Sequence, residues 1–261
     1  MNLELFQNPY NGRPLHLANR KGRTGLADDA GAFFPFRNGY PNFLAGQQMT
    51  GLNQKFQRFY DRVGRFGNLV GRAVNLLFEA GKLRMEWLRD LDIQPGDRVL
   101  EVSVGTGWNI RQLPGHARYF GVDISGGILD RCAKNARQWR LPLELCQANA
   151  GQLPYLDNSF DCVFHIGGIN FLNDRCEAIR EMIRVAKPGA QVMIIDETAK
   201  EIKEQYRKIA LTGRCICDHD INRSRLYAPA QFVPDEIRDV EIKLIGNGSM
   251  YRLSFIKPVK T

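Results

Sequence analysis

Arg98-Val-Leu-Glu-Val-Ser-Val-Gly-Thr-Gly-Trp-Asn109 is the stretch of sequence that decides the fold. Its first half is a run of β-branched and apolar residues typical of a buried strand, and its second half carries a Gly-Thr-Gly turn ahead of an expected helix. Glycine lets the backbone approach a ligand where a Cβ would intrude, and a helix N-terminus offers free N–H groups. The stretch therefore predicts a strand that leads into a ligand-binding turn.

The sequence on either side of this stretch alternates short apolar runs with helical patterns from residue 96 onward. Such alternation predicts parallel strands joined by crossover helices, which is the doubly wound α/β class. The expected strands are 98–103, 118–123, 143–147, 160–165 and 190–195, and the expected helices are 108–113, 126–138, 174–186 and 200–210. Residues 240–245 and 251–256 flank Gly246-Asn247-Gly248 and predict an antiparallel hairpin at the sheet edge.

The first third of the chain has a different texture. Residues 1–45 are rich in Gly, Pro and Asn, which predicts tight turns and short strands. Residues 46–93 are expected to form a helical cap or linker, because apolar residues recur there at near-helical spacing. These residues are Phe56, Tyr60, Val63, Leu76, Leu77, Phe78 and Leu83. We therefore expect a small module over 1–45, a helical linker over 46–93 and the main domain over 94–261.

Composition favours a folded protein of the cytoplasm. The chain is 44% hydrophobic and 25% charged, an ordinary globular balance. No apolar run approaches the roughly 18 residues of a membrane span, and the start has neither a basic leader nor an apolar signal core. The six cysteines lack the dense spacing of a secreted disulfide scaffold, so we expect reduced thiols.

The net charge of +8 is concentrated near the start of the chain. Residues 1–90 contain thirteen Lys and Arg against seven Asp and Glu. A basic front end attracts nucleic acid, anionic lipid or an acidic small molecule alike, so the charge by itself selects none of them.

Asp123 ends the second expected strand, eighteen residues after Gly105. A carboxylate at that place can accept hydrogen bonds from both hydroxyls of an adenosine ribose, which fits either NAD or S-adenosylmethionine (SAM). Ile110 stands where a dinucleotide-binding turn has its third glycine. The missing glycine argues against a pyrophosphate, which needs closer backbone approach.

These motifs together resemble the class I SAM-dependent methyltransferases over residues 52–261, especially the ubiquinone and menaquinone C-methylases and bacterial phospholipid N-methylases. The matching features, in order, are the acidic Glu101, the ribose carboxylate Asp123, Leu153-Pro-Tyr155, Ser159-Phe-Asp-Cys-Val-Phe164 and Lys187-Pro-Gly-Ala190. The resemblance implies a seven-stranded, mostly parallel sheet and S-adenosyl-L-methionine as the cofactor.

The resemblance also implies a set of cofactor-binding residues. The two glycines of the turn would flank the methionine part of SAM, Asp123 would hold the ribose and Ile124 would pack on the adenine. Asn149 and Ala150 would meet the polar edge of the adenine. The whole expected set is Tyr60, Glu101, Ser103, Gly105, Thr106, Gly107, Asn109, Asp123, Ile124, Asn149, Ala150 and His165.

Two positions depart from the family pattern. The family usually has glycine where Ser103 stands and aspartate where Asn149 stands. Serine is small enough to preserve a close approach, and asparagine can still accept a hydrogen bond from the adenine amino group. We therefore expect SAM binding to survive both departures.

His165 and Asn170 are the candidate catalytic residues, because ligands bind beyond the carboxyl ends of parallel strands. His165 fits a general base, a contact to the SAM carboxylate or a structural histidine. Tyr60 belongs to a "YD" pair that covers the cofactor in the family, although it also fits a core aromatic. Trp108 fits the methionine pocket or helix packing. The stretch Cys215–Asp220 is expected to form a loop over the acceptor, with His219 or Asp220 touching substrate, rather than a metal site.

Residues 6–44 resemble a small zinc-ribbon module that precedes the catalytic domain in some methyltransferases, including bacterial 23S rRNA guanine methylases. The similarity is clearest over Phe34–Leu44. The four metal positions hold Asn8, Asn11, Ala27 and Ala30, none of which supplies a thiolate or imidazole, so no zinc is expected. The packing of Phe6, Leu15, Phe33, Phe34 and Phe36 is expected to hold the module together instead.

The leading functional expectation is transfer of the SAM methyl group to carbon, oxygen or nitrogen of a small, lipid-like or aromatic metabolite. An RNA methyltransferase is the first alternative, and a non-catalytic SAM-binding partner protein is the second. The acceptor and the oligomeric state do not follow from the sequence.

Overall fold

The computed structural model describes residues 2–65, 87–198, 201–202 and 229–259. Three features expected from sequence lie wholly or mostly outside this part of the chain. They are the helix 200–210 apart from Glu201 and Ile202, the apolar residues from Leu76 to Leu83, and the stretch Cys215–Asp220.

The first residues form a small antiparallel sheet with strands in the order β1-β2-β3-β4. Its strands are β1 (His16–Arg20), β2 (Arg23–Ala27), β3 (Phe33–Arg37) and β4 (Tyr40–Pro41). Tight turns connect the strands, and the turn residues Lys21, Gly22, Asn38 and Gly39 all have positive φ. The Gly-rich and Asn-rich composition of this region supplies residues that tolerate the left-handed conformation.

The main sheet has seven strands in the order β10-β11-β9-β8-β5-β6-β7. Its strands are β5 (Arg98–Val102), β6 (Arg118–Asp123), β7 (Leu143–Gln147), β8 (Phe160–Ile166), β9 (Ala186–Glu197), β10 (Glu241–Ile245) and β11 (Met250–Ile256). The five strands β5 to β9 pair in parallel, whereas β11 pairs antiparallel with both β9 and β10. The predicted doubly wound sheet and its closing hairpin are confirmed.

Three helices are described: α1 (Gly51–Arg65), α2 (Gly126–Trp139) and α3 (Arg175–Val185). The predictions of helices near 126–138 and 174–186 are confirmed. The helix predicted over 108–113 is wrong in length, because only a 3₁₀ turn over Ile110–Gln112 forms there. Pro114 explains the early end: proline disfavours helical backbone in the preceding residue, and Leu113 is extended.

The core lies on both faces of the main sheet, because central strands such as β5 are buried on both sides. The cluster on the first face includes Leu100, Phe120, Val163 and Ile194, and the cluster on the second face includes Val99, Tyr119, Phe164 and Ile195. Residues of the small sheet, among them Leu26 and Phe34, belong to the first cluster. The small sheet therefore shares its hydrophobic core with the main sheet.

Candidate functional site

The glycine turn that follows β5 has an unusual backbone. Ser103, Gly105 and Gly107 have φ values of 62°, 56° and 78°, all in the left-handed region. A side chain on Gly105 would point into open space, whereas one on Gly107 would come within 2.9 Å of Cys132 Sγ on α2. Gly105 thus keeps a surface open for a ligand, and Gly107 lets the turn pack on α2.

Asp123 lies at the carboxyl end of β6, beside this turn. Its Oδ2 accepts a hydrogen bond from the Gly105 N–H at 3.0 Å, and its Oδ1 accepts one from the Ser125 N–H at 2.9 Å. Burial raises the pKa of the Asp123 carboxyl from 3.8 to about 6, although these N–H donors favour the charged form. A carboxylate has about four acceptor sites, so these N–H groups do not use its whole capacity and a ligand hydroxyl can still donate to it.

A recess opens next to Asp123 at the carboxyl ends of β5 and β6. Five of the residues expected to hold SAM line it together: Ser103, Asp123, Ile124, Asn149 and Ala150. Leu172 adds to its wall from the segment that follows β8. The Asn149 Oδ1 accepts from the Gly151 N–H at 3.1 Å, which fixes the direction of the amide. The structure thus brings together the residues that the resemblance assigned to ribose and adenine.

Glu101, Asn109 and His165 lie deeper under the turn, and all three are buried. Asn109 Nδ2 donates to Glu101 Oε1 at 2.6 Å, while Asn109 Oδ1 has no hydrogen-bond partner among the described residues. Thr106, also in the expected set, accepts a hydrogen bond at its carbonyl from Asn135 Nδ2 at 3.1 Å.

His165 donates from Nδ1 to the Val102 carbonyl oxygen, 2.9 Å away, because a carbonyl oxygen can only accept. Its Nε2 is therefore an unprotonated acceptor, and it has no hydrogen-bond partner within the described part of the chain. Burial lowers the pKa of His165 to about 4, so the imidazole is neutral at neutral pH. An acceptor of this kind suits an ammonium group of a ligand and does not suit a carboxylate.

Asn170, the second candidate catalytic residue, is buried in a network at the end of β9. Its amide donates to the Glu197 carbonyl at 2.9 Å, and its Oδ1 accepts from the Tyr251 hydroxyl at 3.5 Å. Its N–H donates to Asp196 Oδ2. This arrangement ties the loop after β8 to β9 and β11, and a catalytic role for Asn170 stays a prediction.

Helix α1 crosses the carboxyl edge of the sheet. At its start, Asn173 Oδ1 accepts from the N–H groups of Leu52 and Asn53. Further along, Gln57 donates to the Ile124 carbonyl at 3.2 Å. Tyr60 lies on this helix, 41% exposed, with its ring 6.3 Å from that of Phe56. The helix therefore spans between the segments that carry Ile124 and Leu172, two walls of the recess.

Asp61, the second residue of the "YD" pair, has a contact at the site that the sequence did not predict. Its Oδ1 accepts from Ser125 Oγ at 2.7 Å and from the Gly127 N–H at 2.8 Å, so it caps the N-terminus of α2 from outside. The helices cross closely, because a Cβ on Gly64 would come within 2.3 Å of the Gly127 backbone. The sequence signal was Ser125-Gly126-Gly127 directly after Asp123, a capping serine followed by two small residues.

In the small module, a buried carboxylate, Asp28, binds the two asparagines that stand at metal positions of the zinc ribbon. Asp28 Oδ2 accepts from Asn8 Nδ2 at 2.6 Å and from Asn11 Nδ2 at 2.9 Å, and Oδ1 accepts from the N–H groups of Ala30 and Ala32. These hydrogen bonds, the one from Asn11 first, lower the pKa of Asp28 to about 2. The described residues contain no cluster of His, Cys, Asp and Glu suited to a metal. Absence of zinc stays a prediction, which elemental analysis of the purified protein would test.

Comparison with known proteins places this site in a family context. Residues 100–194 match the family model described as a methyltransferase domain. The chain is 34% identical over 119 residues to the demethylmenaquinone methyltransferase of Bacillus mycoides, covering 43% of this chain and 50% of that one. It is 33% identical over 163 residues to that of Oceanobacillus iheyensis, covering 60% and 66%. The chain therefore spans between half and just under two thirds of these relatives.

A solved structure agrees at the level of the fold. The putative S-adenosyl-L-methionine-dependent methyltransferase of Methanococcus maripaludis superposes with a TM-score of 0.54 at 17% identity, covering 82% of this chain and 98% of that one. The family match identifies a methyltransferase domain over residues 100–194, and the topology of the main sheet agrees with the fold of the solved structure. None of the described helices is long and apolar enough to cross a bilayer.

The site fits SAM on its own geometry. The space beside Gly105 is one that a Cβ would enter, and Asp123 keeps acceptor sites for a ribose. Asn109 Oδ1 and His165 Nε2 are both buried acceptors that have no hydrogen-bond partner among the described residues, and an ammonium group can donate to acceptors of this kind. SAM carries both a ribose and an ammonium group, and the residues present suit both.

Proposed function

We propose that this chain transfers the methyl group of SAM to a small, lipid-like aromatic acceptor of the quinol class. The observation that carries the proposal is the recess in which Asp123, Ile124 and Asn149 meet beside an open Gly105. The acceptor class is supported by the relatives, which are described as demethylmenaquinone methyltransferases.

SAM, when bound, supplies a methyl group on a sulfonium that is already activated. The protein then has to orient donor and acceptor and exclude water. In this proposal Asp123 holds the ribose, Ile124 packs on the adenine, and Asn149 and Ala150 meet its polar edge. Glu101, Asn109 and His165 hold the amino-acid end, and Tyr60 on α1 covers the cofactor.

The acceptor side is proposed to lie beyond the end of β8. Phe171 follows that strand, and its ring lies 4.8 Å from the ring of Phe56 on α1. These two rings offer an apolar wall for an aromatic acceptor. A neutral His165 with a pKa near 4 is a weak base at neutral pH, so its proposed role is to position the bound ligand.

The experiment is methyl transfer from labelled SAM to a reduced naphthoquinone that bears a short prenyl chain. Label should enter the quinol with the wild-type protein and should not with Asp123→Ala, which removes the ribose acceptor. The transfer has to be observed without lipid vesicles as well, so that the assay reports on the site alone. The proposal fails if SAM binds and the label reaches no quinol, or if it enters RNA in preference.

A further inference from the structure

Three side chains of the small module contact the start of α2, the helix that directly follows Asp123 and Ile124 in the chain. Arg37 donates from Nη2 to Asp130 Oδ2 at 2.7 Å, and Asn38 donates from Nδ2 to Asp130 Oδ1 at 2.8 Å. The Tyr40 hydroxyl donates to the same Oδ1 at 2.6 Å, and its oxygen lies 3.1 Å from the Gly126 carbonyl oxygen. We call Arg37, Asn38, Tyr40 and Asp130 the module clamp.

The module clamp is closely packed and charged. The Tyr40 side chain is 2% exposed, and a Cβ on Gly126 would come within 2.7 Å of Arg37 Nη1. Burial acts to raise the pKa of the Asp130 carboxyl, but the hydrogen bonds from the module outweigh it and hold that pKa below 3.8. Asp130 is therefore ionised at neutral pH, and hydrogen bonds to an ionised group are stronger than those between neutral groups.

A second contact of the module reaches the same segment by way of β7. The Phe43 N–H donates to the Gln147 carbonyl at 2.8 Å, and Asn42 forms a parallel bridge with Gln147. The Gln147 side chain, which is buried, donates from Nε2 to the Ile124 carbonyl at 3.0 Å. The module thus fixes segment 124–126 from two sides, through α2 and through the end of β7.

We propose that the module clamp positions the adenosine-binding segment 123–126, which makes the small module a working part of the SAM site. Ser125 donates its N–H to Asp123 Oδ1, so the orientation of Asp123 depends on the placement of this segment. A ligand binds more weakly in proportion to the fraction of molecules whose site is out of place. The inference rests on the proposed function for the roles of Asp123 and Ile124.

A purely structural contact between module and main sheet would behave differently. Its loss would lower the stability of the fold, but the folded molecules would bind SAM as before. Because unfolded molecules are a very small fraction of a native protein, a moderate loss of stability does not change a measured dissociation constant. The dissociation constant (Kd) of SAM therefore separates the two roles.

The first test is calorimetric titration of SAM into Tyr40→Phe, with Tyr119→Phe as the matched control. Both tyrosines are 2% exposed, and the Tyr119 hydroxyl donates to the Pro114 carbonyl at the opposite end of β6 from Asp123. The Kd of SAM should rise about threefold to tenfold in Tyr40→Phe, which is the contribution of one hydrogen bond to an equilibrium constant. Tyr119→Phe should lower the thermal unfolding temperature comparably and keep the wild-type Kd.

A second pair of variants tests the charged half of the module clamp. Arg37→Ala removes the ion pair with Asp130, whereas Arg20→Ala removes an arginine that donates to the Gly31 carbonyl within the module. Only Arg37→Ala should weaken SAM binding. We expect 5′-methylthioadenosine, which lacks the amino-acid end of SAM, to lose affinity by the same factor, because segment 123–126 is proposed to meet only the adenosine part.

Three results would overturn the inference: an unchanged Kd in Tyr40→Phe and Arg37→Ala, an equal change in their controls, or weaker SAM binding with unchanged binding of 5′-methylthioadenosine. Methyl transfer to the quinol separates this inference from the proposed function. If both clamp variants bind SAM more weakly and the wild-type protein methylates no quinol, the proposed function alone fails. If the wild-type protein methylates the quinol and the clamp variants bind SAM normally, the inference alone fails.

Discussion

At the scale of single residues, Asp123 shows a conflict between folding and binding. Its carboxyl is buried, and the folded pKa of about 6 lies above the ordinary 3.8. The folded protein without ligand therefore binds this proton more tightly than the unfolded chain does. The resulting contribution to stability is present at low pH and is lost as pH rises towards the folded pKa. Ribose hydroxyls favour the ionised form, so SAM acts in the opposite direction.

We accordingly predict that SAM affinity is highest above pH 7 and falls as pH drops through about 6, because protonation removes the charged acceptor. Calorimetric titration between pH 5 and 8 measures this dependence. The matched variant Asp123→Asn cannot ionise, so its binding should be weaker and flat across the same range. A wild-type affinity that ignores pH near 6 would remove Asp123 from the ribose site.

Ser103 carries a second residue-scale prediction. Its φ of 62° is left-handed, a conformation that costs an L-residue about 1–2 kcal/mol. Glycine avoids that cost but loses about 0.5–1 kcal/mol of chain entropy, so Ser103→Gly should stabilise the protein by up to about 1.5 kcal/mol. The control Ser254→Gly lies in β11 and should destabilise it. Denaturant unfolding of both variants checks the sign, and a destabilising Ser103→Gly contradicts the account.

Most of the SAM recess could be predicted from sequence, because its residues come from short motifs at the ends of neighbouring strands. Once the strand order is known, Asp123, Ile124 and Asn149 are expected at the same edge of the sheet. The unprotonated Nε2 of His165 could not be predicted, since it follows from a hydrogen bond to Val102 on a different strand. The hydrogen bonds of the Asn170 amide could not be predicted for the same reason: its partners, Glu197 and Tyr251, are distant in sequence.

At the scale of elements, Asp61 connects α1 to the start of α2, directly after the segment that carries Asp123 and Ile124. Asp61→Ala removes the acceptor for Ser125 Oγ and for the Gly127 N–H, which should cost roughly 1 kcal/mol as the loss of a helix cap. Because Ser125 also donates its N–H to Asp123, SAM affinity should fall in the same variant. Asp61→Asn keeps an acceptor oxygen and should recover part of both losses. Thermal unfolding and SAM titration measure the two effects, and unchanged SAM affinity in Asp61→Ala would limit α1 to a structural role.

The strands and helices were predictable where the hydrophobic periodicity and the positions of turn residues indicate the same boundaries. The strands β5 to β8 begin and end within about one residue of expectation, because each is an apolar run bounded by turn residues. The strand β9 begins at Ala186 rather than at residue 190. The backbone of Gly189 and Ala190 forms hydrogen bonds with the backbone of Lys257, a partner that the local sequence does not reveal. The hydrogen bonds that Asp28 accepts from Asn8 and Asn11 could not be predicted either, because these partners lie about twenty residues away in sequence.

At the scale of the whole molecule, the small sheet and the main sheet are joined by backbone as well as by core. Phe43 donates its N–H to the Gln147 carbonyl at 2.8 Å, and Leu5 accepts from the Leu156 N–H at 2.9 Å. The ring of Phe6 stacks on Tyr155 with centroids 5.0 Å apart. The module thus covers the β7 edge of the main sheet, an edge that would otherwise offer unpaired backbone groups. A shared core and a shared edge favour a single cooperative unit.

We therefore predict that damage inside the small module unfolds the main sheet as well. Phe34 is buried and packs on Phe43 with ring centroids 4.9 Å apart, so Phe34→Ala should cost about 3–5 kcal/mol. All three tryptophans, at 87, 108 and 139, lie outside the module, so their fluorescence reports on the remainder of the chain. A cooperative unit requires the tryptophan transition to shift down by at least about 6 °C in Phe34→Ala, together with the circular dichroism transition. Leu17→Ala, at a position that is 56% exposed in the same module, should shift neither. If the tryptophan transition of Phe34→Ala stays at the wild-type temperature, the module folds as a separate domain and the shared core does not couple the two sheets.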